Sequence, residues 1–198
     1  MSSLYDYTTH VLIAGAGPAG ASVSIFLSKE NIPHIIIDKA VFPRDKICGD
    51  AMSGKTLGML KRITGDWHKH FIKEKDTAVV SAGIKFISGN NTCLDIPFQL
   101  TDIADGDPPG FVSKRIDFDN SLFNLIAGKY AHCITGTSIE DIQYIDDGLL
   151  IKVKQGGKEK TIFSKMIVGA EGRSSIVAKK LAHHKVEAKH YRDRKSVV

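Results

Sequence analysis

The 198-residue sequence predicts an α/β fold, and three features carry that prediction. An apolar run, Val11-Leu12-Ile13, leads into Gly15-x-Gly17-x-x-Gly20; a second, Ile35-Ile36-Ile37, ends at Asp38; and short β-type segments separated by turns fill the chain after residue 130. Strand, tight turn and helix in that order are the context in which this glycine spacing carries meaning. A composition of 42% hydrophobic and 25% charged residues is ordinary globular usage, with apolar material for one good core.

Each glycine of the turn has its own mechanical role. Gly15 permits the tight turn, Gly17 lets backbone approach a diphosphate, and Gly20 lets the following helix lie close on the strand. Pro18 and Ala19 open that helix, and Ala19, Val23, Phe26 and Leu27 recur at helical spacing. Bare N–H groups at a helix N-terminus form a ready anion site. Asp38, 18 positions after Gly20 and next to Lys39, stands where an acid holds a ribose hydroxyl. These features predict an ADP-containing cofactor without choosing between FAD and a nicotinamide nucleotide.

After Asp38 the chain enters a polar loop over 39–50, where Pro43 and Gly49 exclude a continuous helix. A short helix is expected over 55–62 and a turn at Gly65-Asp66. β-branched and aromatic residues then concentrate, and Gly89-Asn90-Asn91 predicts a hairpin turn between strands at 83–88 and 92–98, the start of a separate sheet. A loop at 105–110 and a strand at 111–113 precede a helix with Asp117 as N-cap, an apolar stripe of Phe118, Leu122, Leu125 and Ile126, and Gly128 at the C′ position.

A strand at 133–137 leads to a meander over 139–145, 149–153 and 161–164, turning at Asp146-Asp147-Gly148 and Gly156-Gly157. A separate strand at 166–168 and a helix from Ser174 toward Leu181 complete the pattern. In domain terms, 1–76 and 111–182 form a nucleotide-binding domain and 77–110 are inserted strands of an incomplete β-rich substrate domain. The remaining 183–198 form a basic tail leading toward further chain.

The net charge of +5 resides in the last twenty residues, where Lys179, Lys180, Lys185, Lys189, Arg192, Arg194 and Lys195 outweigh Glu187 and Asp193. That segment lacks interleaved aromatics and a repeating basic face, so it reads as solvated rather than nucleic-acid-binding. A secretory leader pattern and a run long enough to span a membrane are both absent from the sequence. Cys48, Cys93 and Cys133 are odd in number and widely spaced, as in a reducing cytoplasm.

Two patterns mislead. Gly49-Asp50-Ala51-Met52-Ser53-Gly54-Lys55-Thr56 satisfies the Walker A spelling, but residues 44–48 are too polar for the buried strand from which a phosphate loop hangs. Trp67-His68-Lys69-His70 lacks a further ligand at metal spacing, and its histidines read as exposed.

Three motifs in order, Gly15-x-Gly17-Pro18-Ala19-Gly20, Arg44-x-Lys46-x-Cys48-Gly49-Asp50 and Val168-Gly169-Ala170-Glu171-Gly172-Arg173-Ser174-Ser175, resemble the geranylgeranyl reductase family of flavoproteins. That family is related to FAD monooxygenases of the aromatic-hydroxylase type and to flavin-dependent halogenases. The resemblance implies FAD in a Rossmann-like domain of glutathione-reductase type, its pyrophosphate on the glycine turn and its adenosine ribose on Asp38. It further implies that Cys48 and Gly49 line the isoalloxazine pocket with Asp50 and Ala51 nearby, and that Arg44 or Lys46 offsets the charge of diphosphate or reduced flavin. Arg115 would reach the cofactor and the Ile139 backbone would meet adenine. Ala170 and Glu171 would brace the pyrophosphate region and help form the NAD(P)H approach, with Glu171 standing where the family has Asp.

The activity implied is reduction of prenyl C=C bonds in a small hydrophobic molecule, with NAD(P)H as reductant and peripheral membrane contact through a lipid substrate. An oxygen-using monooxygenase or halogenase, and a non-catalytic nucleotide-binding fragment, are the alternatives. Neither a catalytic side chain nor a metal ligand is nominated. The family's later Gly-Asp-Ala and aromatic-rich substrate motifs do not occur, so the chain is expected to be an amino-terminal portion.

Overall fold

The structure, a computed structural model, describes residues 4–48, 50–74, 77–98, 108–126 and 128–183. β1 (Tyr7–Ala14) starts with alternating exposure and ends with Leu12, Ile13 and Ala14 fully buried, because its second half has neighbours on both edges and cover on both faces. The chain turns at Gly15 into α1 (Pro18–Lys29), which has Pro at its first position, and returns through β2 (His34–Ile37), buried throughout.

β3 (Ala51–Ser53), α2 (Gly54–Thr64), α3 (Trp67–Lys73), β4 (Val79–Val80), β5 (Gly83–Ile87), β6 (Cys93–Pro97), β7 (Gly110–Val112) and α4 (Arg115–Phe123) follow. The chain then rejoins the large sheet with β8 (Ala131–Ile134), β9 (Thr137–Ile145), β10 (Gly148–Gln155) and β11 (Lys158–Gly169), and closes with α5 (Ile176–Lys180).

The large sheet has the order β8-β2-β1-β11-β10-β9. β8, β2, β1 and β11 run parallel, and β11, β10 and β9 form the antiparallel meander. β11 belongs to both arrangements: one edge pairs with β10 and the other with β1, Ala14 lying opposite Gly169. The expected break between strands at 161–164 and 166–168 is therefore absent. Lys165, which falls between the two expected segments, projects from a continuous strand and pairs with Asp147 at 2.6 Å.

The second region is built on helices. Leu57, Leu60 and Ile63 of α2 meet Ala21 and Ile25 of α1 and an aromatic cluster of Phe71, Phe111 and Phe118. In that cluster Phe71 lies edge-on to both partners, with centroids 6.1 and 5.9 Å away. β3 and β4 flank β7, and β5 with β6 forms a two-stranded hairpin. One hairpin face carries the Ile84–Ile96 and Phe86–Leu94 pairs; Lys85 and Asp95 meet at 3.4 Å on the other.

Four local expectations change. α4 begins at Arg115 with Lys114 as N-cap, and Asp117 lies in the first turn without capping it, because the helix extends upstream to include a buried Arg115–Asp119 pair. α4 also stops at Phe123, well before Gly128. Residues 67–73 form a helix, and His68 is buried with Nδ1 3.0 Å from the Gly65 carbonyl rather than exposed. The strand expected at 133–137 divides at Gly136 (φ +63°) into β8 and the start of β9.

The Walker-like stretch lacks phosphate-loop geometry. Its Ala51–Ser53 pairs antiparallel with β7, and residues 44–48 form no strand. The basic tail beyond residue 183 lies outside the described residues. Among the described residues, no helix is long and apolar enough to cross a membrane.

Candidate functional site

The glycine-rich turn sits where the parallel strands end, the crevice in which open α/β sheets place ligands. The Gly15 N–H donates to the Ile37 carbonyl at 2.8 Å, and the Ala170 N–H donates to the Ala14 carbonyl at 2.7 Å. A Cβ on Gly15 would lie 2.5 Å from the Ala170 oxygen, and Gly15 has a φ of +97° that also favours glycine. A Cβ on Gly20 would lie 1.7 Å from the Gly15 oxygen. Both glycines are therefore fixed by backbone packing.

Gly17 is the N-cap of α1 and offers no capping side chain; the first turn of the helix contains no acid. Pro18 has no N–H, while the N–H groups of the first turn beyond it point out of the helix end without intrahelical partners. Gly17 also lies beside Arg44: a Cβ there would stand 3.2 Å from Arg44 Nη2.

Arg44 comes from the polar loop, its guanidinium 5.2 Å from the ring centre of Phe42, which itself stacks on Phe123 at 4.3 Å. Its Nη1 reaches Asp119 Oδ2 at 3.1 Å, an ion-pair distance without hydrogen-bond alignment. That nitrogen is buried with no hydrogen-bond partner. An uncapped helix N-terminus beside the guanidinium Nη2 of Arg44 fits a diphosphate.

Two cavities flank the turn. The first, about 460 Å³, is lined by Gly15, Asp38, Lys39, Ile139 and Glu171, with Lys179 and Lys180 of α5 on its rim. The Asp38 carboxylate accepts from the Ala16 N–H at 2.7 Å and the Ala40 N–H at 2.8 Å, which pins the acid against the turn.

Glu171 is turned away from the glycines and onto α5. It accepts from Ser175 Oγ at 2.8 Å and from the Ile176 and Val177 N–H groups at 3.0 and 3.2 Å. A carboxylate on those otherwise unpaired donors fastens the helix that walls the cavity. Lys180 adds a second tie, 2.8 Å from Asp141 on β9. With Lys180 and then Gln143 hydrogen-bonded to it, the Asp141 carboxyl is held well down, at about 2.

The second cavity, about 290 Å³, lies on the other side of Pro18 and is lined by Cys48, Ala51, Met52, Arg115 and Phe118 among others. Arg115 is almost fully buried and grips Asp119 with two bonds, Nε to Oδ1 and Nη2 to Oδ2, each 2.7 Å. Hydrogen bonding to Asp119 raises the Arg115 pKa above its ordinary value against the opposing effect of burial, and Cys48 contributes further. Removing one partner from a buried pair of this kind costs about 3–5 kcal/mol.

Of the nominated residues, Gly15, Asp38, Lys39, Ile139 and Glu171 gather at the first cavity, and Pro18, Cys48, Ala51 and Arg115 at the second. Gly17, Ala19, Gly20, Arg44 and Ala170 form the ridge and its immediate support. Asp50 contributes through its backbone, its carbonyl accepting from the Ser113 N–H at 3.0 Å. Gly49 lies outside the described residues. Asp119 went unnominated, although its four-residue spacing from Arg115 was a readable signal of a helical ion pair. Thr137, Ser138 and Ser174 also line the first cavity without having been singled out.

A parallel sheet with a glycine turn, an anion-ready helix end and a cavity on either side defines a dinucleotide-binding domain. Residues 8–195 match the family model described as FAD binding domain, and the chain belongs to that family. It is 24% identical over 172 residues to a menaquinone reductase of Mycolicibacterium smegmatis, an alignment covering 84% of this chain and 38% of the relative. It is 24% identical over 178 residues to digeranylgeranylglycerophospholipid reductase 2 of Methanosphaera stadtmanae, covering 86% of this chain and 41% of that protein. Among solved structures it resembles the flavin-dependent halogenase CmlS with a TM-score of 0.73 at 23% identity, covering 90% of this chain and 32% of the other. The chain thus spans about two fifths of the length of the two reductases it matches.

Proposed function

We propose that this chain supplies the cofactor-gripping part of an FAD-dependent oxidoreductase that reduces prenyl carbon–carbon double bonds with NAD(P)H. The observation that carries the FAD assignment is the uncapped N-terminus of α1 beside Arg44 Nη2, with a cavity on each side of the turn. Bound FAD would supply hydride transfer from a nicotinamide to the acceptor, and this chain's residues would hold and orient it.

The residues divide the work. The α1 N–H groups and Arg44 neutralise the diphosphate, with Gly15, Gly17, Pro18, Ala19 and Gly20 shaping the approach. The first cavity takes the adenosine: Asp38 keeps lone pairs for a ribose hydroxyl beyond its two backbone bonds, and Ile139 lies against the adenine. Lys39, Ala170 and Glu171 complete that side. The second cavity takes the approach to the flavin ring, bounded by Cys48, Gly49, Asp50, Ala51 and Arg115, with Lys46 as a further positive charge.

Residues 1–76 and 111–182 constitute the FAD-binding domain in this reading, and 77–110 begin a substrate domain. The hairpin's apolar face of Ile84, Phe86, Leu94 and Ile96 suits a hydrophobic acceptor or the sheet that would hold it. The setting is cytoplasmic, with membrane contact only through the lipid substrate.

Support for reduction over oxygen chemistry comes from the two reductases among the relatives. Anaerobic incubation of the chain with FAD, NAD(P)H and a geranylgeranylated lipid tests it by mass spectrometry. Gain of two hydrogens per reduced bond is expected. Product formation that requires oxygen points instead to the monooxygenase or halogenase reading.

A further inference from the structure

Asp119 is the most buried carboxylate among the described residues, 1% exposed, and the functional reading above gives it no task. It sits on the buried face of α4 beneath both arginines of the site. Arg115 fills both of its oxygens with well-aligned bonds of 2.7 Å, and Arg44 reaches Oδ2 at 3.1 Å without alignment. Arg44 Nη1 meets Oδ2 outside hydrogen-bond alignment, so charge holds the second guanidinium close without a hydrogen bond to fix it there. Arg44 is consequently anchored by attraction to Asp119 and by the Phe42 ring, with Nη2 beside Gly17 and Nη1 buried against Asp119 without a hydrogen bond.

The charges support the same conclusion. Two guanidiniums against one carboxylate leave a net positive charge under the glycine turn, and Phe42, Phe118 and Phe123 keep the surroundings apolar. A buried positive charge next to a helix N-terminus has strong demand for an anion.

We propose that Asp119 is a positioning residue for the diphosphate: gripped by Arg115, it holds Nη1 of Arg44 by charge and so keeps Arg44 Nη2 at the turn for the ligand. This rests on the FAD reading above and adds that the turn's affinity is set from a residue on α4 that does not line either cavity. The arrangement predicts that Asp119 acts through Arg44 and only on ligands that carry the diphosphate.

A double-mutant cycle on the full chain tests it, with Arg44→Ala, Asp119→Asn and their combination titrated with ADP and with adenosine. Either single change should weaken ADP binding about tenfold, the size expected for loss of a charge-assisted contact. The combination should be no weaker than Arg44→Ala alone, and adenosine binding should be the same in all four proteins.

Additive losses, or an ADP affinity of Asp119→Asn within about twofold of the original, overturn the proposal. Equal weakening toward adenosine does so too, because it marks a general structural effect. If Asp119→Asn does not fold, Asp119→Glu carries the same cycle, since one extra methylene displaces the carboxylate while retaining its charge. Its loss of ADP affinity must then vanish in the Arg44→Ala background. Failure of the unaltered chain to bind ADP or FAD removes the functional reading itself, an outcome distinct from the others.

Discussion

The two cavities beside the glycine turn are built by different means. The first is made of strand ends: β1, β2 and β9 deliver Gly15, Asp38 and Ile139 to it, and its one helical wall, α5, is tied down by Glu171 and by the Lys180–Asp141 pair. The second is made mainly of helix faces, completed by a loop and the short strand β3, and the side chains beneath it meet across long stretches of sequence, such as Arg44 with Asp119. Backbone register thus fixes one half of the site and side-chain packing the other. The first cavity should therefore tolerate side-chain change better than the second.

The largest effect is expected where the two halves share backbone. Gly20→Ala places a Cβ into the Gly15 carbonyl oxygen, so α1 must move off β1. A cost of about 2–4 kcal/mol follows, a fall in Tm of roughly 5–15 °C by calorimetry, with loss of FAD binding.

Next come substitutions that fill one cavity at a time. Ile139→Arg should weaken ADP and FAD alike by about tenfold or more, whereas Ala51→Arg should weaken FAD and leave ADP unchanged. Equal responses of ADP to both would erase the distinction between the halves.

A smaller effect belongs to Glu171. Replacement by Ala removes the carboxylate from the Ile176 and Val177 N–H groups and should cost about 1 kcal/mol, read as faster amide exchange in α5. Smallest is the acid response of the Asp141 tie. The folded pKa of about 2 lies below the ordinary 3.8, so the tie is intact above the ordinary value and lost as pH falls through about 2. Amide exchange in α5, compared between wild type and Asp141→Asn, should differ at pH 4 and converge near pH 2. Convergence already at pH 4 would contradict the assignment.

The same division decides what could be read from sequence. The glycine turn, Asp38 and the Gly156-Gly157 hairpin were legible because each is a local backbone requirement; Gly156 and Gly157 have φ of +55° and +82°. The gathering of Gly15, Asp38, Ile139 and Glu171 followed from strand order. Glu171 itself was read as a ligand-side substitute for Asp, whereas its extra length lets it cap α5, a contact that depends on the path of the next turn.

On the other side, Asp119 was invisible as a partner of Arg44 because 75 positions of chain separate them. Burial of His68 likewise depends on how α3 packs on α2 rather than on its neighbours in sequence. The continuity of β11 past Lys165 was hidden for the opposite reason, since an exposed polar residue inside a strand interrupts the apolar run.

The most direct test of the account is a calorimetric titration of the purified chain with FAD, repeated in the presence of ADP and of Mg-ATP. One FAD per chain, displaced competitively by ADP and accompanied by a visible flavin band, is the predicted result. A colourless chain that ignores FAD and ADP but binds Mg-ATP would contradict it.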